Sequence, residues 1–394
     1  MSKFFYLVLC CCLLCSCIRA PEPPLSRPEP THVPTVPAPL LTPVVWEALP
    51  GWQKDELTPA FDAFLQSCVA LRRRPQWRDV CESASAFESP SETTLRDFFE
   101  SAFTPHQVLL EDGSADGLLT GYYVPDLKGS RQASSDYPYP LYQRPDDLLT
   151  IDLSDVYPEL GNYRLRGRLE GNRVVPYWDR GVIDGAKLPL SGRELFWVAD
   201  PVELFYLHIQ GSGSILFDDG TRAMVNYADQ NGHPFRSISH YLEQQKIMPR
   251  SQMSMRNIRD WVKKNPERSG EILSQNPSYI FFRELEEGTQ SPPGALGVPL
   301  TPERTLAVDS RYIPLGAPVF IESHNKHSDI WLRRLMMAQD RGGAIKGRVR
   351  GDFFWGLGDV AGALAGQTHQ PVKFWLLLPK ELDAPGELDA KESG

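Results

Sequence analysis

Two aspartates near the C-terminus, Asp340 and Asp352, lie on either side of a Gly-rich and basic segment in AQDRGGAIKGRVRGDFFWGLGD. An aromatic run, Phe353, Phe354 and Trp355, follows the second aspartate directly. A free Asp side chain titrates near pH ~3.9, but exclusion of water by aromatic rings and repulsion from a second carboxylate both raise the pKa. The pattern therefore predicts that Asp352 keeps its proton near neutral pH and can serve as a general acid.

Cations in the same segment oppose this prediction. Lys346, Arg348 and Arg350 would lower the pKa of Asp352 if they pointed toward it. We therefore expect at least the two arginines to face solvent or substrate. The structural alternative for Asp352 is a turn-capping role beside glycine, and Asp340 could cap a turn in the same way.

Composition argues against several other chemistries. The 394 residues carry a net charge of −9 without a long basic patch, so no nucleic-acid partner is predicted. The chain has no zinc-ligand Cys cluster, no HExxH, no P-loop and no GxSxG. We therefore predict no metal and no cofactor.

The N-terminus predicts export. MSKFFYLVLCCCLLCSCIRA has an apolar run too short to span a bilayer, so residues 1–16 are predicted to be a signal peptide. Leu14-Cys15-Ser16-Cys17 resembles a bacterial lipobox, which implies acylation of Cys17 and an outer-membrane lipoprotein facing the periplasm. A signal peptide without a lipid is the alternative. Residues 17–45 then form the lipidated N-terminus and a Pro-rich linker, of which 21–43 is too rich in proline to form a helix or a core.

Two cysteines remain after Cys17, and both lie in a helical segment. Cys68 shares helical spacing with apolar residues, and the RRRPQW segment breaks that helix and lets Cys81 return toward it. In an oxidising compartment this predicts one disulfide, worth roughly 3 kcal/mol. Two buried free thiols are the alternative.

The elements that must position the aspartates change along the chain. Residues 55–104 predict helices, with Ser91 or Thr93 as a cap. Strands follow, including a hairpin with a two-residue turn at Asp219-Gly220. A helical interval at about 237–274 precedes further strands, so the pattern predicts an α+β chain with barrel-like parts.

Six segments then occur in one order: LLTGYYVP, LHIQGSGSI, NYADQNG, NPSYIFF, GVPLTPERTLAVDSRYIPLGAPV and AQDRGGAIKG…GDFFWGLG. Together they resemble the membrane-bound lytic murein transglycosylase A family from roughly residue 50 to 380. The resemblance implies a mainly β fold with peripheral helices, in which a double-psi β-barrel main domain carries an inserted second β-domain and a groove between them holds a glycan strand.

The domain boundaries that we predict follow from this resemblance. Residues 46–126 and 281–380 would form the barrel catalytic domain with its N-terminal helices. Residues 127–280 would form the inserted β-domain, and 381–394 a flexible tail.

The resemblance also implies a reaction. Enzymes of this family cleave the β-1,4 bond between N-acetylmuramic acid and N-acetylglucosamine in peptidoglycan and leave a 1,6-anhydromuramoyl end. The implied class is a peptidoglycan lytic exotransglycosylase, a glycan lyase, with endo cleavage as the open alternative. The implied partners are glycan strands and the outer membrane; a cell-wall synthesis complex stays unknown.

The site residues follow from the family's three-aspartate signature. Asp309, Asp340 and Asp352 match it, and the role of acid and base falls on Asp352, with the other two in support. Gly351 and Trp355 are local departures from the family's pattern, whereas the DxFxGxG spacing is kept. One carboxyl suffices for this chemistry, whereas ordinary glycosidases need two.

Further candidates for substrate binding lie in the other motifs, and each has a structural alternative. Tyr122 and Tyr123 could stack on sugars or form a core pair. The sugar-contact candidates with a turn or strand-end alternative are Gln210, Gly211, Ser212, Asn231, Asn276 and Ser278.

Two other classes of protein stay as alternatives. A non-catalytic peptidoglycan-binding lipoprotein would hold the same glycan without cutting it. An aspartic protease would also use paired aspartates, but AQDRGG lacks the expected Asp-Thr/Ser-Gly and no second copy is present.

Overall fold

The computed structural model describes residues 39–325 and 329–380. The predicted signal peptide, Cys17, most of the predicted linker and the tail at 381–394 lie outside the described residues. The predicted linker extends too far, because Leu41–Pro43 forms a strand and Leu41 is buried in the core.

Helices occupy three parts of the described chain. They are α1 (Leu57–Leu71), α2 (Pro75–Ser85), α3 (Glu92–Ala102), α4 (Arg180–Ile183), α5 (Pro201–Gln210), α6 (Ser239–Gln244), α7 (Met255–Lys264), α8 (Ser269–Leu273) and α9 (Gly358–Gln367). Short 3₁₀ turns occur at Trp46–Ala48, Trp52–Lys54, Pro158–Asn162, Arg250–Gln252 and Pro266–Arg268.

Strands make up most of the remaining ordered structure. They are β1 (Leu41–Pro43), β2 (Phe103–Val108), β3 (Gly117–Val124), β4 (Asp126–Ser130), β5 (Tyr139–Tyr142), β6 (Leu149–Thr150), β7 (Arg166–Glu170), β8 (Arg173–Pro176), β9 (Glu194–Val198), β10 (Ser212–Leu216), β11 (Arg222–Gln230), β12 (Ile280–Glu284), β13 (Thr305–Val308), β14 (Pro318–Asn325), β15 (Ile330–Asp340), β16 (Arg350–Leu357) and β17 (His369–Pro379).

The first sheet closes into a barrel. Its order is β1-β2-β17-β14-β15-β13-β16-β3, and β17 also pairs with β3, so the six strands from β17 to β3 form a ring among the described residues. Within this ring β13–β15 and β16–β3 are parallel, and the other pairs are antiparallel. The predicted fold class, mainly β with a barrel and peripheral helices, is confirmed.

Helices α1 to α3 cover one side of the barrel. Ser91 caps α3, because its hydroxyl accepts a hydrogen bond from the Thr94 amide at 3.1 Å. The buried Arg304 guanidinium donates to the Asp55 carboxylate at 3.0 Å, which ties the start of α1 to β13. Cys68 and Cys81 form a disulfide between α1 and α2.

All the strands of two further sheets lie in sequence between β3 and β13. The larger has the order β12-β11-β10-β4-β9-β5, and the smaller has the order β6-β7-β8. The β10–β11 hairpin differs from its prediction. The Phe217 amide donates to the Thr221 carbonyl, so residues 218–220 form a three-residue turn in which Gly220 alone has a positive φ, +82°.

The segment LHIQGSGSI is also not a strand that ends in a turn. Its first half is the end of α5, and Gly211 ends the helix with φ +79° before β10 begins. The signal for this helix was present in the sequence. Asp200 accepts hydrogen bonds from the Val202 and Glu203 amides, and Pro201 occupies the first turn.

Candidate active site

Strand β16 places Asp352 on the barrel wall between β13 and β3, where its register partners are Ala307 and Thr120. Side chains alternate along a strand. Gly351 and Phe353 are therefore buried in the barrel core, whereas Asp352 is partly exposed on the other face. A side chain at position 351 would collide with the core, because its Cβ would lie 2.7 Å from the Phe374 ring.

One oxygen of the Asp352 carboxyl group accepts a hydrogen bond from Thr120, and Thr120 in turn accepts one from Arg350. The Thr120 hydroxyl donates to Asp352 Oδ1 at 2.5 Å, and Arg350 Nη2 donates to Thr120 Oγ1 at 2.9 Å. Arg350 also donates to the Gly351 carbonyl. The prediction that both arginines face away is therefore wrong for Arg350, because residues two apart on a strand share a face. Arg348 is half-buried, 4.0 Å from Glu111.

The environment of Asp352 favours its protonated form. Burial raises the pKa to about 6, and the nearby Asp340 charge acts in the same direction. The Thr120 hydrogen bond and the Arg350 charge lower it in part. The direction agrees with the sequence prediction, and the value lies where a carboxyl group can both give and take a proton near neutral pH.

Asp340 ends β15 and is held by three donors. The Tyr122 hydroxyl donates to its Oδ2 at 3.0 Å, while the amides of Ala295 and Arg341 donate to its Oδ1 at 2.9 and 2.8 Å. Burial raises the pKa of Asp340, although these hydrogen bonds oppose the rise. Asp340 thus caps its own turn and holds the Ala295 loop beside β15.

Asp309 lies just after β13 and is buried, with 3% exposure. Arg311 Nε and Nη2 donate to its two oxygens at 3.0 and 2.6 Å, and the Gly347 amide donates at 2.8 Å. Burial alone would raise the pKa of Asp309, but these donors outweigh it and hold the pKa below its ordinary value. Its carboxylate joins the end of β13 to the segment that leads into β16.

The two tyrosines after Gly121 occupy different environments. Tyr122 is buried, and its ring packs on Phe354 with 5.1 Å between centroids. Tyr123 is partly exposed, and its amide donates to Gln210 Oε1 at 3.0 Å, which links β3 to the end of α5. The core alternative therefore fits Tyr122.

The polar candidates downstream serve largely as backbone supports. The Gly211 carbonyl accepts from the Tyr227 amide at 2.8 Å, and the buried Ser212 hydroxyl accepts from Asn226 Nδ2 at 2.9 Å. The buried Asn231 amide group donates to the carbonyls of Trp178 and Pro277, each at 2.9 Å.

The last two candidates support the same region of backbone. Asn276 Oδ1 accepts from the amides of Arg236 and Ser278. The Ser278 carbonyl accepts from the buried Arg180 guanidinium at 2.7 Å. The structural alternatives thus account for the contacts of Asn231, Asn276 and Ser278.

Sequence reasoning missed Thr120 and the orientation of Arg350. Thr120 lies 232 positions from Asp352 and reaches it through the parallel β3–β16 pair. A strand register of this kind has no local sequence signal. For Arg350 a signal existed, since it precedes Asp352 by two residues in a predicted strand.

Comparison with known proteins adds to this geometry. A family model described as "MltA specific insert domain" matches residues 118–283, and one described as "3D domain" matches 304–378. This chain is similar to the crystal structure of MltA from Neisseria gonorrhoeae, with 37% sequence identity and a TM-score of 0.77. The match covers 88% of this chain and 97% of that one. The chain belongs to the membrane-bound lytic murein transglycosylase A family. The predicted family is therefore confirmed.

Two further relatives extend the comparison within this family. The Escherichia coli K12 protein named membrane-bound lytic murein transglycosylase A is 32% identical over 66% of this chain, and the Vibrio cholerae protein of the same name is 29% identical over 68%. The matches span 65% and 66% of those two relatives, slightly less than two thirds. A crystal structure of E. coli MltA with bound chitohexaose is 25% identical, with a TM-score of 0.62 over 88% of this chain and 93% of that one.

These relatives carry the words "membrane-bound" in their names. Within residues 39–325 and 329–380, every helix is too short or too polar to cross a bilayer.

Proposed function

We propose that this protein is a lytic transglycosylase that cleaves the β-1,4 bond between N-acetylmuramic acid and N-acetylglucosamine in peptidoglycan. The observation that carries the proposal is Asp352, a partly exposed carboxyl group on the barrel wall whose burial raises its pKa to about 6. The names of the relatives and the chitohexaose bound to E. coli MltA support a glycan substrate of this class.

The proposed reaction needs one acid and base. Protonated Asp352 gives its proton to the O4 leaving oxygen as the C1–O4 bond of muramic acid breaks. The C6 hydroxyl of the same sugar then forms a bond to C1, and Asp352 takes the proton that this hydroxyl loses. One proton thus moves from O6 to O4, no water is consumed, and a 1,6-anhydromuramoyl end results.

Asp340 and Asp309 have supporting roles in this proposal. Asp340 contributes negative charge that raises the pKa of Asp352. Asp309 holds the segment before β16 through Arg311 and the Gly347 amide.

For sugar contacts we propose the candidates that are partly exposed, namely Tyr123, Gln210 and Gly211. The remaining candidates are buried and shape the backbone around them. They are Tyr122, Ser212, Asn231, Asn276 and Ser278.

The test is incubation of the protein with purified sacculi, followed by mass spectrometry of the released fragments in water enriched in ¹⁸O. We expect 1,6-anhydromuropeptides without ¹⁸O. Reducing ends that contain ¹⁸O would instead indicate a hydrolase. Sedimentation with sacculi without any released fragment would indicate a non-catalytic peptidoglycan-binding protein.

We also propose that Cys17 is acylated and anchors the protein in the outer membrane, facing the periplasm. The support is the lipobox-like Leu14-Cys15-Ser16-Cys17 and the family's membrane-bound name. Cells given a radioactive fatty acid should label the wild-type protein and leave Cys17→Ala unlabelled. Equal absence of label in both proteins would reject the anchor.

A further inference from the structure

The two oxygens of the Asp352 carboxyl group have different surroundings. Oδ1 accepts the Thr120 hydroxyl at 2.5 Å, a length typical of hydrogen bonds to a charged or strongly polarised oxygen. Oδ2 receives no hydrogen bond from the part of the chain that the structure describes. The carboxyl group therefore has one oxygen bound to the protein and one left for a substrate.

The hydrogen bond from Arg350 determines which way the Thr120 hydroxyl donates its own hydrogen bond. A guanidinium group can only donate, so Thr120 Oγ1 accepts from Arg350 Nη2 at 2.9 Å. Within the described residues, Asp352 Oδ1 is then the acceptor that remains for the single Thr120 proton. The order Arg350, Thr120, Asp352 is a chain of donors with one direction.

We propose that Thr120 and Arg350 are positioning residues that keep Oδ1 of Asp352 as a hydrogen-bond acceptor and so direct the transferable proton to Oδ2. The inference rests on the proposed function of Asp352 as the acid and base. It adds that the acid presents one defined oxygen to the substrate. The same hydroxyl also stabilises the carboxylate that forms when the proton leaves, so it assists both halves of the reaction.

Other charged or titratable groups also face Asp352. The Asp340 carboxylate at the end of β15 raises the pKa of Asp352, and burial raises it more strongly. The charge of Asp352 contributes to the raised pKa of the Tyr122 phenol on β3, but the Tyr122 hydroxyl donates its hydrogen bond to Asp340. Thr120 and Arg350 are thus the groups found to lower the pKa of Asp352, so removal of either should raise that pKa.

The test is the pH dependence of kcat/KM on purified glycan strands for wild type, Thr120→Val and Thr120→Ser. Activity requires protonated Asp352, so it falls as pH rises through the pKa. Thr120→Val removes the hydroxyl at nearly constant volume. Its descending limb should move to higher pH by about one pH unit, as expected for loss of a hydrogen bond to a charged group. Its kcat at the optimum should fall about tenfold.

Thr120→Ser is the matched control, because it keeps the hydroxyl and should restore both the midpoint and kcat. A purely structural role for Thr120 would change the melting temperature and leave the midpoint in place. Should Thr120→Val not fold, Arg350→Gln provides the second variant. It removes the cation and should move the midpoint in the same direction.

A substrate-free measurement separates this inference from the proposed function. The Asp352 carboxyl group can be titrated by ¹³C NMR in wild type and Thr120→Val. A higher midpoint in the variant supports the donor chain even if wild type releases no anhydromuropeptides, an outcome that would reject the proposed reaction alone. Equal midpoints in the two proteins would overturn the donor chain even if wild type is fully active.

Discussion

Asp352 lies on β16 and Asp309 directly follows the neighbouring strand β13, yet their carboxyl groups have opposite properties. Residues 306–308 of β13 pair with 351–353 of β16, so the two aspartates are close in the fold. Burial raises the pKa of Asp352 to about 6. At Asp309 burial is outweighed by Arg311 and backbone amides, and the pKa falls below its ordinary value.

The difference lies in the donors that each carboxyl group receives. Asp309 accepts two hydrogen bonds from one guanidinium group and others from amides, so both oxygens are used. Asp352 accepts one hydrogen bond, from the Thr120 hydroxyl, and the Arg350 guanidinium is linked to it only through Thr120. At Asp309 a guanidinium group binds the carboxylate directly and the pKa falls, whereas at Asp352 no cationic group among the described residues binds directly and burial prevails.

The largest expected effect is on catalysis. Asp352→Asn removes the titrating group and should lower kcat about 10³-fold, within the range for loss of a general acid. Asp309→Asn is the matched control and should keep activity within about tenfold, since it leaves Asp352 intact. Release of anhydromuropeptides from sacculi measures both. Comparable losses in the two variants would remove the distinction between acid and anchor.

The free energy of unfolding should respond in the opposite order, with the larger loss in Asp309→Asn. Asp309→Asn loses the charge that binds Arg311 and should lower the free energy of unfolding by about 1–2 kcal/mol, a figure reduced for the exposure of the Arg311 side chain. Asp352→Asn replaces a carboxylate that burial disfavours and should leave stability at pH 7 unchanged or increased. Urea unfolding of the two variants measures the difference. A larger loss in Asp352→Asn would contradict it.

The pH dependence of stability gives a finer comparison. The lowered pKa of Asp309 contributes stability above its ordinary pKa of 3.8, and this is lost as pH falls through the folded value. The raised pKa of Asp352 favours the folded state at low pH, and this is lost as pH rises through about 6. As pH rises from about 4 to about 6, wild type should therefore lose stability relative to Asp352→Asn. Relative to Asp309→Asn, wild type should lose stability only as pH falls below about 4.

The smallest effect is expected at the residue that holds Asp340. Tyr122→Phe removes one of the three donors to that carboxyl group and keeps the ring against Phe354. Activity should fall about threefold, because the two amides still hold Asp340 near Asp352. Kinetics on glycan strands measure the change. A loss as large as that of Asp352→Asn would give Tyr122 a direct chemical role.

Much of this molecule could be predicted from local pattern. Helical spacing and a cap residue predicted helices over 55–104, and the structure has α1, α2 and α3 there with Ser91 as the cap. Phe354 is buried on the face of β16 that carries Asp352, as the aromatic run indicated, whereas Phe353 is buried in the barrel core on the other face. Such features depend on residues only a few positions apart.

The rest depends on contacts between distant segments. The Thr120 hydroxyl reaches Asp352 only because β3 pairs in parallel with β16, and Tyr122 reaches Asp340 over a separation of 218 residues. The position of Arg350, in contrast, does not depend on a distant segment. The two-residue period of a strand places it on the same face as Asp352, and this period is a local signal in the sequence.

The most direct test is a ¹³C titration of the carboxyl groups in protein labelled at aspartate, with the signals of Asp352 and Asp309 assigned from their Asn variants. We expect a midpoint of about 6 for Asp352 and a midpoint below 3.8 for Asp309 in the same sample. A midpoint for Asp352 at or below 3.8 would contradict its role as the acid, because the carboxyl group would then carry almost no proton to transfer at neutral pH.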